Sequence, residues 1–135
     1  MPSAPTAERV LVDTSVWVDF FRNRPAAVAL VAELAATHRA VISGTVLQET
    51  LQGAKTEKEL GFLRAQMSLW HFEPEQPEDF AAAAALYTRL RWLGVTVPPA
   101  DCLIAAVAIR SDTVLCSPDT HFAQMPGLQF HRVAV

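Results

Sequence analysis

The sequence predicts an α/β protein: a mainly parallel, roughly five-stranded sheet in a three-layer α/β/α arrangement. Two observations predict it. Short apolar runs alternate with longer segments of helical character, the pattern left by parallel strands joined through crossover helices. Hydrophobic residues make up 51% of the chain and charged residues 19%, enough apolar material to bury a sheet on both faces. With 135 residues, one domain spanning 1–135 is expected, its first eight residues forming a loose leader.

The elements follow in order. Arg9-Val10-Leu11-Val12 reads as a short buried strand that stops at Asp13. Asp13, Thr14 and Ser15 are all competent N-caps for a helix continuing through Phe21, with Trp17, Phe20 and Phe21 on one apolar face. Pro25 opens a second helix, to about Thr37, at a first-turn position where its missing N–H is no loss. Ala40–Ser43 is a second strand. Thr45 starts the next helix, with Gln48 at capping-box spacing and Gly53 as its end. A charged helix spans about Glu57 to Met67, and Leu69–Phe72 is a third strand. Pro77 begins an alanine-rich helix that runs to about Leu93 and stops at Gly94. Pro98-Pro99 leads into a helix from Ala100 to about Arg110. Thr113–Cys116 and Leu128–Val133 complete the strands.

Composition narrows the function. A net charge of −3 argues against gripping nucleic acid by bulk charge, though not against doing so through a bound cation. Cys102 and Cys116 are too few for a disulfide framework or a cysteine zinc site, so a reducing, cytoplasmic setting is expected. No apolar run approaches a membrane span, and Met1–Thr6 lacks the basic-then-apolar order of a secretion signal.

Four acids stand out. In a parallel sheet, ligands bind beyond the carboxyl ends of the strands. Asp13 follows the first strand directly, Glu49 lies on the helix after the second, and Asp119 follows the fourth. Asp101 opens the helix leading into the fourth strand, and reaches the same edge if that helix runs antiparallel to the sheet. Each acid also has a purely structural reading: Asp13 as a cap, Asp101 as a complement to a helix dipole, Asp119 as a turn residue, Glu49 as a solvated helix residue. Taken together they form a cluster in which two carboxylates ~5 Å apart repel by roughly 3 kcal/mol. No basic residue lies within six positions of Asp101. A divalent cation resolves the conflict, and all-oxygen ligation suits Mg²⁺ or Mn²⁺ better than zinc.

At these residues the chain resembles the PIN domain family, and more narrowly its VapC-type toxin ribonucleases from bacterial toxin–antitoxin pairs. The blocks are Val12-Asp13-Thr14-Ser15-Val16-Trp17, Glu49, Asp101-Cys102-Leu103-Ile104-Ala105-Ala106 and Ser117-Pro118-Asp119-Thr120-His121-Phe122. The resemblance runs from about Val10 to Val133. Family members often carry a second acid two residues after the last one, where this chain has His121. The resemblance implies a PIN-like fold and Mg²⁺- or Mn²⁺-dependent endonucleolytic cleavage of RNA, with Asp13, Glu49, Asp101 and Asp119 as the acidic pocket. It also implies a homodimer and a small VapB-type antitoxin that blocks the pocket.

The working mechanism is hydrolysis of phosphodiester bonds by a metal-activated water, with Asp13 and Asp101 holding the principal ion and Glu49 and Asp119 completing the pocket. Thr14, Ser15 and Ser117 could orient a carboxylate or a water but are expected mainly in capping and turn roles; His121, near Asp119, could touch substrate but is expected on the surface. Histidine-based cleavage finds no paired histidines, and Cys102 and Cys116 sit in apolar runs that favour inert thiols. Arg22, Arg24, Arg39, Lys55 and Lys58 are candidate RNA contacts. Three alternatives compete: a phospho-accepting receiver module, a non-catalytic RNA- or protein-binding domain of the same fold, and a DNA-directed nuclease.

Overall fold

The structure, a computed structural model, describes residues 4–133. Five strands form one sheet: β1 Val10–Val12, β2 Ala40–Ser43, β3 His71–Glu73, β4 Val114–Ser117 and β5 Phe130–Arg132. Six helices connect them: α1 Thr14–Phe21, α2 Pro25–Ala36, α3 Gly44–Gln52, α4 Glu57–Met67, α5 Pro77–Trp92 and α6 Pro99–Arg110. A 3₁₀ segment, Thr120–Gln124, lies between β4 and β5 and was not anticipated from the sequence.

The strand order is β3-β2-β1-β4-β5, and every neighbouring pair is parallel. It differs from the 2-1-3-4-5 order of receiver-type sheets. In β1 all three residues are buried, and in β2 all four. Alternate residues of a strand face opposite sides of the sheet, so such runs require cover on both faces. The helices supply it: Leu30, Leu34, Trp17 and Val46 join the core from α1 to α3, and Leu86, Leu90, Ile104 and Ala108 from α5 and α6.

Local chemistry explains most boundaries. Pro25, Pro77 and Pro99 occupy first-turn positions. Gly94 takes a φ of 83° after α5, a left-handed stop that glycine adopts without strain. Two expectations change. Ser43, not Thr45, caps α3 by accepting a hydrogen bond from the Val46 amide, and the Gln48 side chain instead donates to Gln52. The third strand begins at His71 because Trp70 turns inward against Trp17, at 5.0 Å between rings, while Leu69 faces solvent.

Of the expected leader, residues 1–3 lie outside the described residues. Residues 4–8 form no helix or strand, yet they are tied down: the Arg39 guanidinium donates to the carbonyls of Pro5 and Ala7. Arg39 also pairs with Glu33 and precedes β2, at the sheet edge opposite the strands' carboxyl ends. It is therefore a structural clamp and is withdrawn as an RNA contact. Arg22, Arg24, Lys55 and Lys58 are exposed.

Apart from the four candidate acids, the fold buries one further acid among the described residues and neutralises it. Asp79, 1% exposed, accepts the Arg110 Nε–H at 2.8 Å and the Gln76 amide at 2.7 Å. Arg110 reaches Glu73 as well. Removing the cation leaves a buried carboxylate unpaired, whereas removing the acid leaves a cation that still reaches solvent. Arg110→Met is therefore expected to cost about 3 kcal/mol, and more than Asp79→Asn, in urea denaturation.

Candidate active site

The order β3-β2-β1-β4-β5 reverses between β1 and β4, and the crevice beyond their carboxyl ends is the topological switch point. Val12 pairs with Cys116 in register, and the Asp13 amide donates to the Cys116 carbonyl at 3.0 Å. Asp13 and Ser117 therefore leave the sheet side by side. Asp13 stands at the N-cap of α1 but makes no side-chain capping bond. Its Oδ2 accepts the Ser15 hydroxyl at 2.8 Å and the Ser117 hydroxyl at 2.9 Å. This side chain is held for something other than ending a helix.

The other acids arrive from three directions. Glu49, one face along α3, accepts the Thr14 hydroxyl at 2.8 Å. The start of α3 is anchored by Glu75, which accepts the Gly44 amide at 3.0 Å and both the amide and hydroxyl of Thr45 at 2.7 Å. A Cβ at Gly44 would lie 2.5 Å from Glu75 Oε1, so a larger residue there obliges the Glu75 carboxylate to shift from this position. Asp101 sits in the first turn of α6, whose buried face packs into the core. Asp119 precedes the 3₁₀ segment, and its Oδ1 accepts the His121 amide at 2.9 Å.

The electrostatics report the convergence. Asp101 has its pKa raised from 3.8 to about 6, first by burial and then by the carboxylates of Asp13, Asp119 and Glu49, with His121 opposing. Burial also raises Asp13, against the pull of Ser15, Ser117 and the Thr14 amide. Among the described residues, no lysine or arginine forms an ion pair with any of the four. Asp101, Asp119 and His121 each offer one ligand atom within 4.8 Å of the others, a grouping in which Asp13 and Glu49 do not appear.

Several side chains play parts that the sequence reading ranked second. Thr14, Ser15 and Ser117, expected in capping or turn roles, each orient a carboxylate. Ser117 also keeps a turn role, accepting the Asp119 amide at 3.0 Å. His121 is not simply on the surface: its Nδ1 lies 3.1 Å from Asp119 Oδ1 and 3.7 Å from Asp101 Oδ2. Its position two residues after Asp119 was the available signal. Cys102 and Cys116 are buried, and burial pushes the Cys116 thiol up to about 12, which leaves it without nucleophilic character.

A carboxyl whose native pKa exceeds its unfolded value holds its proton more tightly when folded. The stability it contributes is fully present at low pH and is lost as pH rises from about 4 through about 6. Metal-free protein in EDTA is therefore expected to melt at a higher temperature at pH 5 than at pH 7, with Asp101 contributing about 1 kcal/mol of the difference. Asp101→Asn is expected to shrink that difference and to raise the metal-free midpoint at pH 7, as thermal unfolding at the two pH values would read.

Sequence and structure comparisons identify the family and the fold. Residues 10–128 match the family model of the PIN domain. Ribonuclease VapC11 of Mycobacterium tuberculosis is 35% identical over 130 residues, covering 89% of this chain and 96% of that protein. Ribonuclease VapC19 of the same species is 32% identical over 122 residues, covering 88% and 96%. The crystal structure of DNA-bound VapBC from Salmonella typhimurium superposes with a TM-score of 0.81 at 20% identity, over 93% of this chain and 98% of that one, a likeness of fold. With its acids gathered at the switch point of a parallel sheet and its length matched almost throughout, the chain belongs to the PIN domain family and, within it, to the VapC ribonucleases.

Proposed function

We propose that this protein is a Mg²⁺- or Mn²⁺-dependent endoribonuclease, the toxin of a VapBC-type pair, in which Asp13, Glu49, Asp101 and Asp119 form the metal-binding acidic pocket. One observation carries the reading: Asp13, Asp119 and Glu49 stand close enough to Asp101 to add to the rise in pKa that its burial causes, and among the described residues no arginine or lysine pairs with any of the four. The donor set fits a hard divalent cation, being rich in carboxylate oxygen and lacking thiolate. When bound, such an ion lowers the pKa of a coordinated water and offsets charge developing on the scissile phosphate.

The chain's own residues prepare the site. Ser15 and Ser117 fix Asp13 by donating to its Oδ2. Thr14 aligns Glu49 with the end of β1, and the Glu75 clamp holds the helix that carries it. An anionic RNA meets a cluster of carboxylates, so substrate binding depends on the cation to reverse the local charge. Arg22, Arg24, Lys55 and Lys58 supply further phosphate contacts. Beside Glu49 runs a groove of about 600 Å³ lined by Phe80, Tyr87, Ala100 and Leu103.

The partners follow from the same reading. A VapB-type antitoxin, the class of partner found with the related toxins, covers the pocket. A second copy of the chain buries the exposed apolar residues of α5 and its end, where Phe80, Trp92 and Leu93 are 57%, 73% and 79% exposed. No helix among the described residues is long and apolar enough to cross a membrane. Acting on cellular RNA, the proposed toxin would work in the cytoplasm.

Purified chain freed of antitoxin is expected to cleave total RNA with Mg²⁺ or Mn²⁺, leaving 5′-phosphates, and to be silenced by EDTA. Asp13→Asn is expected to lower the rate by more than about a hundredfold. RNA left intact by both proteins points to a non-catalytic binding domain, and preferential cleavage of single-stranded DNA points to a DNA-directed nuclease. Separately, millimolar Mn²⁺ is expected to raise the thermal midpoint of the unmodified protein but not of the Asp13→Asn, Asp101→Asn double variant.

A further inference from the structure

We propose that His121 supplies a nitrogen ligand, through Nδ1, to the divalent cation held by Asp101 and Asp119, making the site mixed nitrogen–oxygen rather than all-carboxylate. The inference deepens the metal-dependent reading above and rests on it. Three observations support it. The Nδ1 atom is shielded from solvent although the imidazole is 44% exposed, so the ring turns its far edge outward and its Nδ1 edge into the pocket. The atom has no hydrogen-bond partner: its contacts with Asp119 Oδ1 and Asp101 Oδ2 are close but lack hydrogen-bond geometry. The separations of 3.1 and 3.7 Å also suit ligands sharing one ion, since octahedral bonds of about 2.1 Å put neighbouring ligand atoms about 3 Å apart and opposite ones about 4 Å apart.

Local structure explains why the ring stays there. The His121 amide donates to Asp119 Oδ1, which folds residues 119–121 into a tight turn and starts the 3₁₀ segment. Phe122, next in the chain, is buried and packs against Phe130 at 5.9 Å, pinning the segment to the sheet. The imidazole is thus carried into the pocket by the backbone, without a hydrogen bond of its own to orient Nδ1. Magnesium accepts imidazole poorly, whereas first-row transition ions accept nitrogen and oxygen together. A site with one nitrogen therefore discriminates in favour of Mn²⁺ over Mg²⁺ relative to an all-oxygen pocket.

The test is pulsed electron paramagnetic resonance of the purified full chain loaded with substoichiometric Mn²⁺. The expected result is a ¹⁴N modulation from a directly bound imidazole. It should change to the ¹⁵N pattern when the unmutated protein is grown with ¹⁵N-histidine, and vanish in His121→Asp, which still binds Mn²⁺. The ratio of Mn²⁺ to Mg²⁺ affinity, measured by competition, should fall in the same variant. Tight Mn²⁺ binding without nitrogen modulation would overturn the ligand role of His121 and leave the acidic pocket standing, with the imidazole only a counter-ion to its acids. Nitrogen modulation that persists in His121→Asp overturns the assignment to this residue. Absence of specific Mn²⁺ binding, with the unmodified protein and Asp101→Asn behaving alike, overturns the pocket itself and the inference with it.

Discussion

Uncompensated negative charge at the carboxyl edge of the sheet is the constraint to which the rest of the structure answers. Every other buried or half-buried acid with a described role has a compensating partner. Asp79 has Arg110, and Glu75 has the amides at the start of α3. The acids around Asp101 have hydroxyls, one imidazole and one another. Hydroxyls orient a carboxylate without cancelling its charge, so the cluster keeps its attraction for a cation.

Maintaining such a cluster requires a rigid frame, because carboxylates free to move would separate. The frame is the fully buried centre of the sheet. β1 and β4 lie side by side with both faces covered, and they deliver Asp13 and Ser117 in register. α6 is buried along most of its length, which fixes the height of Asp101 above the sheet. Glu49 depends on a longer chain of contacts, through α3, Gly44 and Glu75, and so borrows its position from the loop after β3. The hydrophobic core and the site are therefore one construction: apolar burial opposes the repulsion that the acids create.

The distribution of arginine separates the two sides of the molecule. Arg110 ties the end of α6 to α5 and to the end of β3, and Arg39 ties the segment before β1 to the turn before β2. Both are engaged in structure, which leaves few cations near the acidic edge. Under the proposed function, a protein of net charge −3 would draw local positive charge for RNA from a bound ion and from exposed residues such as Arg22 and Lys55.

Much of this was legible in the sequence. Abrupt passage from an apolar run to Asp13, proline at three helix starts and the all-apolar stretch after Asp101 encode strands, helix boundaries and burial through local chemistry. Chain direction alone sends Asp13, Glu49 and Asp119 to one edge. What the sequence did not disclose depends on residues far apart in the chain: the Thr14 to Glu49 bond, the Ser117 to Asp13 bond, the Glu75 clamp and the Arg39 tether. Ser43 displaced Thr45 as a cap, and His121 turned inward, for the same kind of reason. Short-range propensity names the elements because it acts within a few residues. Which hydroxyl meets which carboxylate is decided only when parallel strands come into register and set distant side chains within hydrogen-bonding distance.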